Sequence, residues 1–509
     1  MNPNFTIVIS RLNGSDNVIF AVWVIDSPLP EGFTHHHLAW SSELTTIWLA
    51  WQEMFSPGQQ YNITGMENTP KSFEELNLLP NHKTPYSTRL MQQFGVSLWE
   101  WLWSGDIRRS LEQNQSYALG LQASLRIRLD IRDPDLIPIP WEIMLSSTAK
   151  PTISVNQQIL FSRIISDVGI LRLKDKIPEK LKILLVLGEK ETFSLQEDEA
   201  ETLKNIFQAA SSSSEIDILL QPPTKKLIKT LDNGDYNLFF YGGHGEKTPE
   251  GGLLYLRSDA TINGIELAQV LVRNQVTLTV FNACWSAQPD QEEGVMIERS
   301  SLAEVLLHYG IPAVLGMRDS ITNEEALTFI EAFSGAITIG KTIDEGVRIA
   351  RQQLLTIYKF NQPTWTLPIL YLHPQFDGVI LKPPLETTIL PSAPLAYLCL
   401  LEGERTTWKI QGIIRIGRHP VGRSGETNDV VITEPWISSE HALIIHRDND
   451  DGSRYFLKDI SRYGTYLNIS GEWELFHHQD IPLQHGTKIR FGAINGQILE
   501  FRLENPSIH

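Results

Sequence analysis

From residue 181 onward the chain alternates short, unbroken apolar runs with longer stretches in which apolar residues recur every three or four positions. "LKILLVLGE" (Leu181–Glu189), "IDILLQP" (Ile216–Pro222), "YNLFFYGGHG" (Tyr236–Gly245), "VTLTVFNAC" (Val276–Cys284) and "IPAVLG" (Ile311–Gly316) read as strands. "EDEAETLKNIFQAA", "TKKLIKTLDNG", "NGIELAQVLVRN", "SLAEVLLHYG", "TNEEALTFIEAF" and "TIDEGVRIARQQLL" read as the helices among them. The strand runs are close to continuously apolar rather than apolar at every second position. That is the pattern of parallel strands covered on both faces. Asn233-Gly234 predicts the end of the second helix, and Thr342 and Glu345 have capping-box spacing at the start of the last. The expected fold is α/β, a mainly parallel sheet flanked by helices.

The pattern changes after residue 382. "PPLETTILPSAP" (383–394) has four prolines, little charge and no periodicity, and reads as a linker. Residues 395–505 show short alternating segments and turns rich in Gly, Asn and Asp, which predicts an all-β unit.

Length and composition fit this division. A chain of 509 residues has room for two or three domains, and its hydrophobic and charged fractions are those of a globular protein. A net charge of -17 argues against nucleic-acid binding, which needs a basic surface. "MNPNFTIVIS" lacks the basic and apolar regions of a signal peptide, and no run is long enough to span a bilayer, so no membrane association is expected. The two cysteines, Cys284 and Cys399, are too few for a disulfide framework or a Cys-based zinc site. A reducing cytoplasm with both thiols free is expected, with no cofactor and no metal. Nothing in the sequence sets the oligomeric state.

The order of strands bears on the chemistry. In open parallel sheets, ligands bind outside the carboxyl ends of the strands. His244 follows "LFFYGG" and Cys284 follows "TLTVFNA", so each stands at such an end. Neighbouring parallel strands lie about 4.8 Å apart, which would bring imidazole and thiol together if these two strands are neighbours. A histidine beside a cysteine can take its proton and later protonate a leaving amine. The N–H groups of Gly245 and Cys284 could hold a developing oxyanion. The plainer reading is a buried, inert cysteine and a histidine serving only a turn.

"FFYGGHGE" and "TVFNACWSA" resemble the His-Gly and Ala-Cys motifs of CHAT domains, caspase-like peptidases of the separase group. "LRIRLDIRDPDLIPIPWEIM" (Leu125–Met144) resembles the Pro-Trp-Glu segment of that family, the region around "GIPAVLGMRDS" its Gly-x-Pro-Ala-Val segment, and "PTWTLPILYL" its closing strand. The resemblance makes residues 1–125 the leading part of a CHAT unit, 126–382 its caspase-like core, and His244 and Cys284 a catalytic dyad. Metacaspases, which cut after Arg or Lys, carry an Asp two residues before the cysteine. Here that residue is Asn282, which would not offset the burial of a cationic side chain. A neutral residue before the scissile bond is therefore expected, with Asn282 and Trp285 as pocket residues. Asp290, Glu292 and Glu293 in "QPDQEEGVMIE" read as a solvated loop.

In the C-terminal unit, "IRIGRHP", "ISSEHALII" and "LKDISRYGTYLN" resemble in order the three motifs of a forkhead-associated (FHA) domain, a β-sandwich that binds phosphothreonine peptides. The resemblance implies that Arg418, Ser438, Arg462 and Tyr463 face a phosphopeptide, with His441 bracing the loop. An arginine fork and a serine hydroxyl suit phosphate. Tyr463 stands where the family has Asn, and a phenol cannot copy an amide's paired donor and acceptor. Phosphate capture is expected to survive, with altered peptide selectivity.

Three other motifs read as structural. "GAITIGKT" (Gly335–Thr342) matches a P-loop pattern but follows a helix rather than a strand. "HHH" (His35–His37) reads as a loop, and "RDNDDGSRY" as a hairpin turn between "HALIIH" and "YFLKDI". "LWEWLW" (Leu98–Trp103) reads as part of a helix packed on the core. The expected function is a cysteine endopeptidase acting on a protein substrate through an acyl-enzyme, coupled to phosphothreonine-partner recognition. The alternatives are an inactive CHAT scaffold acting as a phosphopeptide-binding signalling adaptor, or a latent protease switched on by a partner.

Overall fold

The structure is a computed structural model. It describes residues 2–12, 18–29, 34–57, 61–66, 84–174, 176–189, 193–211, 214–248, 251–283, 286, 291–292, 295–296, 301–382, 395–401, 406–410, 413–421, 427–449, 452–469 and 471–504. The chain divides into two compact units, Met1–Pro384 and Leu385–His509. The linker expected at 383–394 lies outside the described residues.

The first unit begins with β1 (Asn4–Arg11), β2 (Ile19–Asp26), β3 (His35–Ala39), α1 (Ser42–Phe55), α2 (Tyr86–Leu102), α3 (Gly105–Gly120), β4 (Leu125–Ile131) and β5 (Ile159–Ile164). It continues with β6 (Lys182–Leu187), α4 (Phe193–Ala210), β7 (Glu215–Leu220), α5 (Thr224–Gly234), β8 (Leu238–Gly242), β9 (Gly245–Glu246), β10 (Leu253–Arg257), β11 (Ala260–Asn263), α6 (Gly264–Arg273) and β12 (Leu278–Asn282). A short hairpin, β13 (Gln291–Glu292) and β14 (Val295–Met296), precedes α7 (Leu302–His308), β15 (Ala313–Met317), α8 (Asn323–Thr338), α9 (Ile343–Tyr358) and β16 (Pro368–Leu372).

Eleven of these strands form one sheet, in the order β3-β2-β1-β4-β5-β16-β15-β12-β8-β6-β7. The block β15-β12-β8-β6-β7 is parallel throughout and holds the strands expected from residue 181 onward. Each of its central strands sends alternate side chains into two different cores. Ile183, Leu185, Leu238, Phe240, Leu278 and Val280 pack with α4, α8 and α9. Leu184, Val186, Phe239, Tyr241 and Phe281 pack with α5, α6 and α7. Burial on both faces is why these runs are apolar at nearly every position.

The sheet is larger than the sequence pattern indicated. β16 runs antiparallel to β15, and β5, β4 and β1 then follow parallel to β16. The outer edge is closed by antiparallel β2 and β3. His35–His37, read as a loop, belong to edge strand β3, where pairing with Ala21–Trp23 fixes them. Gly335–Thr342 spans the end of α8 and the N-cap of α9, with no strand before it, as its context indicated. The capping box of Thr342 and Glu345 forms, and Asp235 takes the left-handed conformation that ends α5 after Gly234. Trp101 and Trp103 of "LWEWLW" are buried at the end of α2.

The second unit is all-β, with a six-stranded and a five-stranded sheet. Ile416, Ile444, Leu457, Leu467, Ile489, Leu499 and Phe501 fill the core between them. The expected hairpin is formed by Ala442–Asn449 against Gly452–Asp459.

Candidate functional site

β8 and β12 are neighbours. They run parallel, in a register that sets Phe281 beside Tyr241 and Asn282 beside Gly242. His244 and Cys284 therefore each follow a paired position by two residues. Cys284 and Trp285 lie outside the described residues, as do Asp290 and Glu293.

The main chain around His244 is held from several sides. Tyr241 Oη lies 2.7 Å from His244 O and 2.9 Å from Tyr255 O. Tyr255 N donates to His244 O at 3.2 Å, and Gly243 N donates to Asn282 O at 3.4 Å. Gly245 then opens β9, which pairs with β10. Glycine is required opposite this turn: a Cβ at Gly188 would lie 2.2 Å from Tyr255 O and 2.5 Å from Tyr241 Oη. Burial pushes the Tyr241 phenol upward, so it stays protonated and can donate. The His244 side chain is exposed above this fixed backbone.

The chain on either side of residues 284–285 is anchored too. Ser286 is buried, and its N donates to Ala283 O at 3.4 Å. Its Oγ accepts from Met317 N at 2.8 Å, and its O accepts from Ala303 N at 3.1 Å. The segment is thus tied to the end of β15 and the start of α7.

The unit also holds a group of buried arginines. Glu142, from the Pro-Trp-Glu segment, accepts from Arg163 Nε at 3.1 Å and Nη2 at 2.9 Å, with Arg351 Nη2 at 3.9 Å. Burial would raise Glu142, but Arg163 and Arg351 hold it below the usual carboxylate range. Arg318 follows β15 directly and is 4% exposed. Its Nη2 donates to Thr366 Oγ1 at 3.0 Å, and its Nε has no acceptor among the described residues. Burial lowers both Arg318 and Arg351 to about 10.

A cleft of about 540 Å³ lies elsewhere, lined by Ser10, Asp130, Arg132, Ser166, Asp167 and Glu304 among others. It opens at the carboxyl ends of β4 and β5. Those strands run opposite to β8 and β12, so the cleft is not at the His244 end of the sheet.

In the second unit, three of the expected residues come together. Arg418 N donates to Ser438 O at 2.9 Å, and Ser438 Oγ accepts from Arg462 N at 3.0 Å. The Arg418 guanidinium reaches Pro435 O at 3.2 Å and His419 Nε2 at 3.3 Å. Tyr463 is 53% exposed, with the Arg462 guanidinium 5.8 Å from its ring centre. His441 is fully buried, and its Nδ1 accepts from Ser438 N at 3.1 Å while Nε2 lies 3.2 Å from Gly464 O. That pairing needs the neutral ring with its proton on Nε2, and burial lowers His441 to about 4. Gly464 has φ +83°, and a Cβ there would meet Leu475 Cδ1 at 2.6 Å. Asp459, His477 and His478 bring ligand atoms within 4.8 Å of one another. Asp459 is already bonded to Ser461, Thr465 and the His478 N–H, and His477 Nε2 to Ser461 O, which is an internal brace.

The family model for the CHAT domain matches residues 92–375, more than half of the chain. The chain belongs to the CHAT family. A second family model, for the FHA domain, matches residues 414–492. The architecture is therefore a caspase-like α/β CHAT unit followed by an all-β FHA unit. No curated protein sequence matches the chain significantly. Among solved structures, the MEK1 FHA domain is 26% identical and covers 23% of this chain and 93% of its own, with a TM-score of 0.19. The yeast Dun1 FHA domain, in complex with a doubly phosphorylated peptide, is 29% identical over 23% of this chain and 78% of its own, with a TM-score of 0.18. The Saccharomyces cerevisiae separase–securin complex is 13% identical over 73% of this chain and 30% of that one, with a TM-score of 0.41.

Within the CHAT unit, sequence reasoning missed Tyr241, Ser286 and Arg318. The signal for Arg318 was available: a lone arginine closing the apolar strand run "IPAVLGM". Tyr241 sits inside an apolar run and reads as core. Among the described residues, no helix is long and apolar enough to cross a membrane.

Proposed function

We propose that this CHAT protein is a cysteine endopeptidase that recognises phosphothreonine-bearing partners through its FHA unit. The observation carrying the first half is the β8–β12 register, which supports His244 and Cys284 as a facing pair at two neighbouring strand ends. In this reading His244 takes the Cys284 thiol proton, and the thiolate adds to the scissile carbonyl. The N–H groups of Gly245 and Cys284 would stabilise the resulting oxyanion. The intermediate collapses as the imidazolium protonates the leaving amine, which leaves a thioester. Water, deprotonated by His244, then adds to the thioester, and the Cys284 thiolate departs and recovers the proton. The Ser286 anchors suit a nucleophile that must be held in place.

The FHA half of the reading rests on Arg418, Ser438 and Arg462 meeting at one end of the second unit. Two cations and a hydroxyl fit a phosphate. The test has two arms. New protein N-termini should appear when the full chain is added to a reducing cell extract, and none with Cys284→Ala. Calorimetry should give binding of a phosphothreonine peptide and none of its unphosphorylated twin. Equal cleavage by both proteins, or equal binding of both peptides, contradicts the corresponding half.

A further inference from the structure

Arg318 presents a physical problem. A guanidinium cannot give up its charge by losing a proton, and each of its N–H groups needs an acceptor when it is buried. Yet among the described residues it makes one hydrogen bond, to the neutral hydroxyl of Thr366, and its Nε makes none. The half-buried carboxylate of Asp319, the next residue, offsets part of its charge with no hydrogen bond between the two side chains among the described residues, and Glu142, which offsets less, is already engaged by Arg163 and Arg351.

Its position is as informative as its charge. β12 and β15 pair with Val280 beside Leu315, so on the same count Arg318 stands level with residue 283, next to the proposed nucleophile. The bond from Met317 N to Ser286 Oγ ties Arg318's own neighbour to the segment after Cys284. A second cation approaches from the histidine side. Lys247, three residues beyond His244, donates Nζ to Tyr61 Oη at 2.5 Å, and that phenol feels the charges of both Asp319 and Arg318. Tyr61 is itself locked, with its main chain bonded to Gln52 and to the Trp48 indole. The Arg318 guanidinium lies 5.7 Å from the Trp51 ring centre, which fixes its plane. Two cations, one buried with no acceptor for its Nε among the described residues, thus flank a rigid aromatic wall beside the dyad, with the carboxylate of Asp319 next to them.

We infer that Arg318 and Lys247 form the pocket for the residue before the scissile bond, and that this residue is Asp or Glu. The inference rests on the peptidase reading and names its substrate class. It replaces the neutral residue expected from Asn282 alone. The substrate carboxylate would supply the acceptor that Arg318 lacks, and a charge-assisted bond formed in a dry pocket favours acid over amide by about 10- to 100-fold.

The test uses full-length protein and peptidyl acyloxymethyl ketones that differ only in the residue next to the reactive group: Asp, Glu, Asn, Gln or Arg. Modification of Cys284 is read by intact mass, with iodoacetamide as a reagent that needs no pocket. The expected result is labelling by the Asp or Glu probe at least about tenfold faster than by its amide twin. That ratio should fall toward one in Lys247→Gln and in Arg318→Lys, and being internal to each variant it is unaffected by losses in overall reactivity. If amide or Arg probes match the acidic ones while iodoacetamide still prefers Cys284 to Cys399, the acidic pocket is wrong and the peptidase reading stands. If iodoacetamide shows no preference for Cys284, both fail.

Discussion

The phenol of Tyr241 donates into a pair of carbonyl oxygens, 2.7 Å from that of His244 and 2.9 Å from that of Tyr255. The strand that carries the histidine thus also clamps the turn that presents it. Tyr241 is a positioning residue in the proposed reaction. Tyr241→Phe should keep the fold and lower kcat by about tenfold with KM little changed, since the orientation of His244 and not substrate contact is lost. A KM rise with kcat intact would contradict this role.

Glu142 faces Arg163 at 2.9 Å and Arg351 at 3.9 Å, each about 1% exposed. Replacing it with Gln leaves buried guanidinium groups without their carboxylate. Glu142→Gln should destabilise the CHAT unit by about 3–5 kcal/mol in urea denaturation. A change under about 1 kcal/mol would mean that water or main-chain carbonyls satisfy the arginines unaided.

His441 makes the FHA unit sensitive to acid. Burial holds its folded value at about 4, below its ordinary 6.5. Between those values the unfolded chain binds a proton that the folded unit refuses. Stability is complete above about pH 6.5 and is lost as pH falls through that window toward 4. The loss amounts to roughly 3 kcal/mol. Protonation also removes the acceptor for Ser438 N. Hydrogen exchange of the Ala442–Asn449 strand, corrected for intrinsic rate, should quicken between about pH 7 and about pH 4.5 in the wild type. In His441→Gln this pH dependence should flatten.

Arg418 and Arg462 should differ in what they contribute to phosphopeptide binding. Arg418 is half-buried and already oriented by Pro435 O, whereas the Arg462 side chain is exposed. Arg418→Ala should weaken phosphopeptide binding by about 10- to 100-fold. Arg462→Ala should cost less and show the steeper salt dependence of an exposed charge. Titration calorimetry at two ionic strengths checks both.

Much of the CHAT unit was legible because burial on both faces leaves an unmistakable apolar run, as in Ile183–Leu187 and Leu238–Tyr241. The sheet's other half was not. β4 reads "LRIRLDI", which looks like a half-exposed strand, yet every residue in it is buried. Arg126 is paired with Asp344, and Arg128 donates to Pro374 and Phe376 main-chain oxygens. Those partners are distant in sequence, so no local pattern announces them. The site divides in the same way. The His244 and Asn282 strand ends follow from counting along two runs, and the FHA loops from three ordered motifs. Arg318 could be noticed but not interpreted, because its setting is built by Trp51, Tyr61 and Thr366 from remote parts of the chain.

The central claim is that His244 activates Cys284. Cys399, a half-buried free thiol on the strand Leu395–Leu400, is an internal reference. We would expose the full chain briefly to limiting iodoacetamide and locate the adduct by mass spectrometry, in the wild type and in His244→Ala. The account predicts that Cys284 is alkylated at least about tenfold faster than Cys399 and that His244→Ala removes the advantage. Equal labelling of the two cysteines, with or without His244, would contradict it.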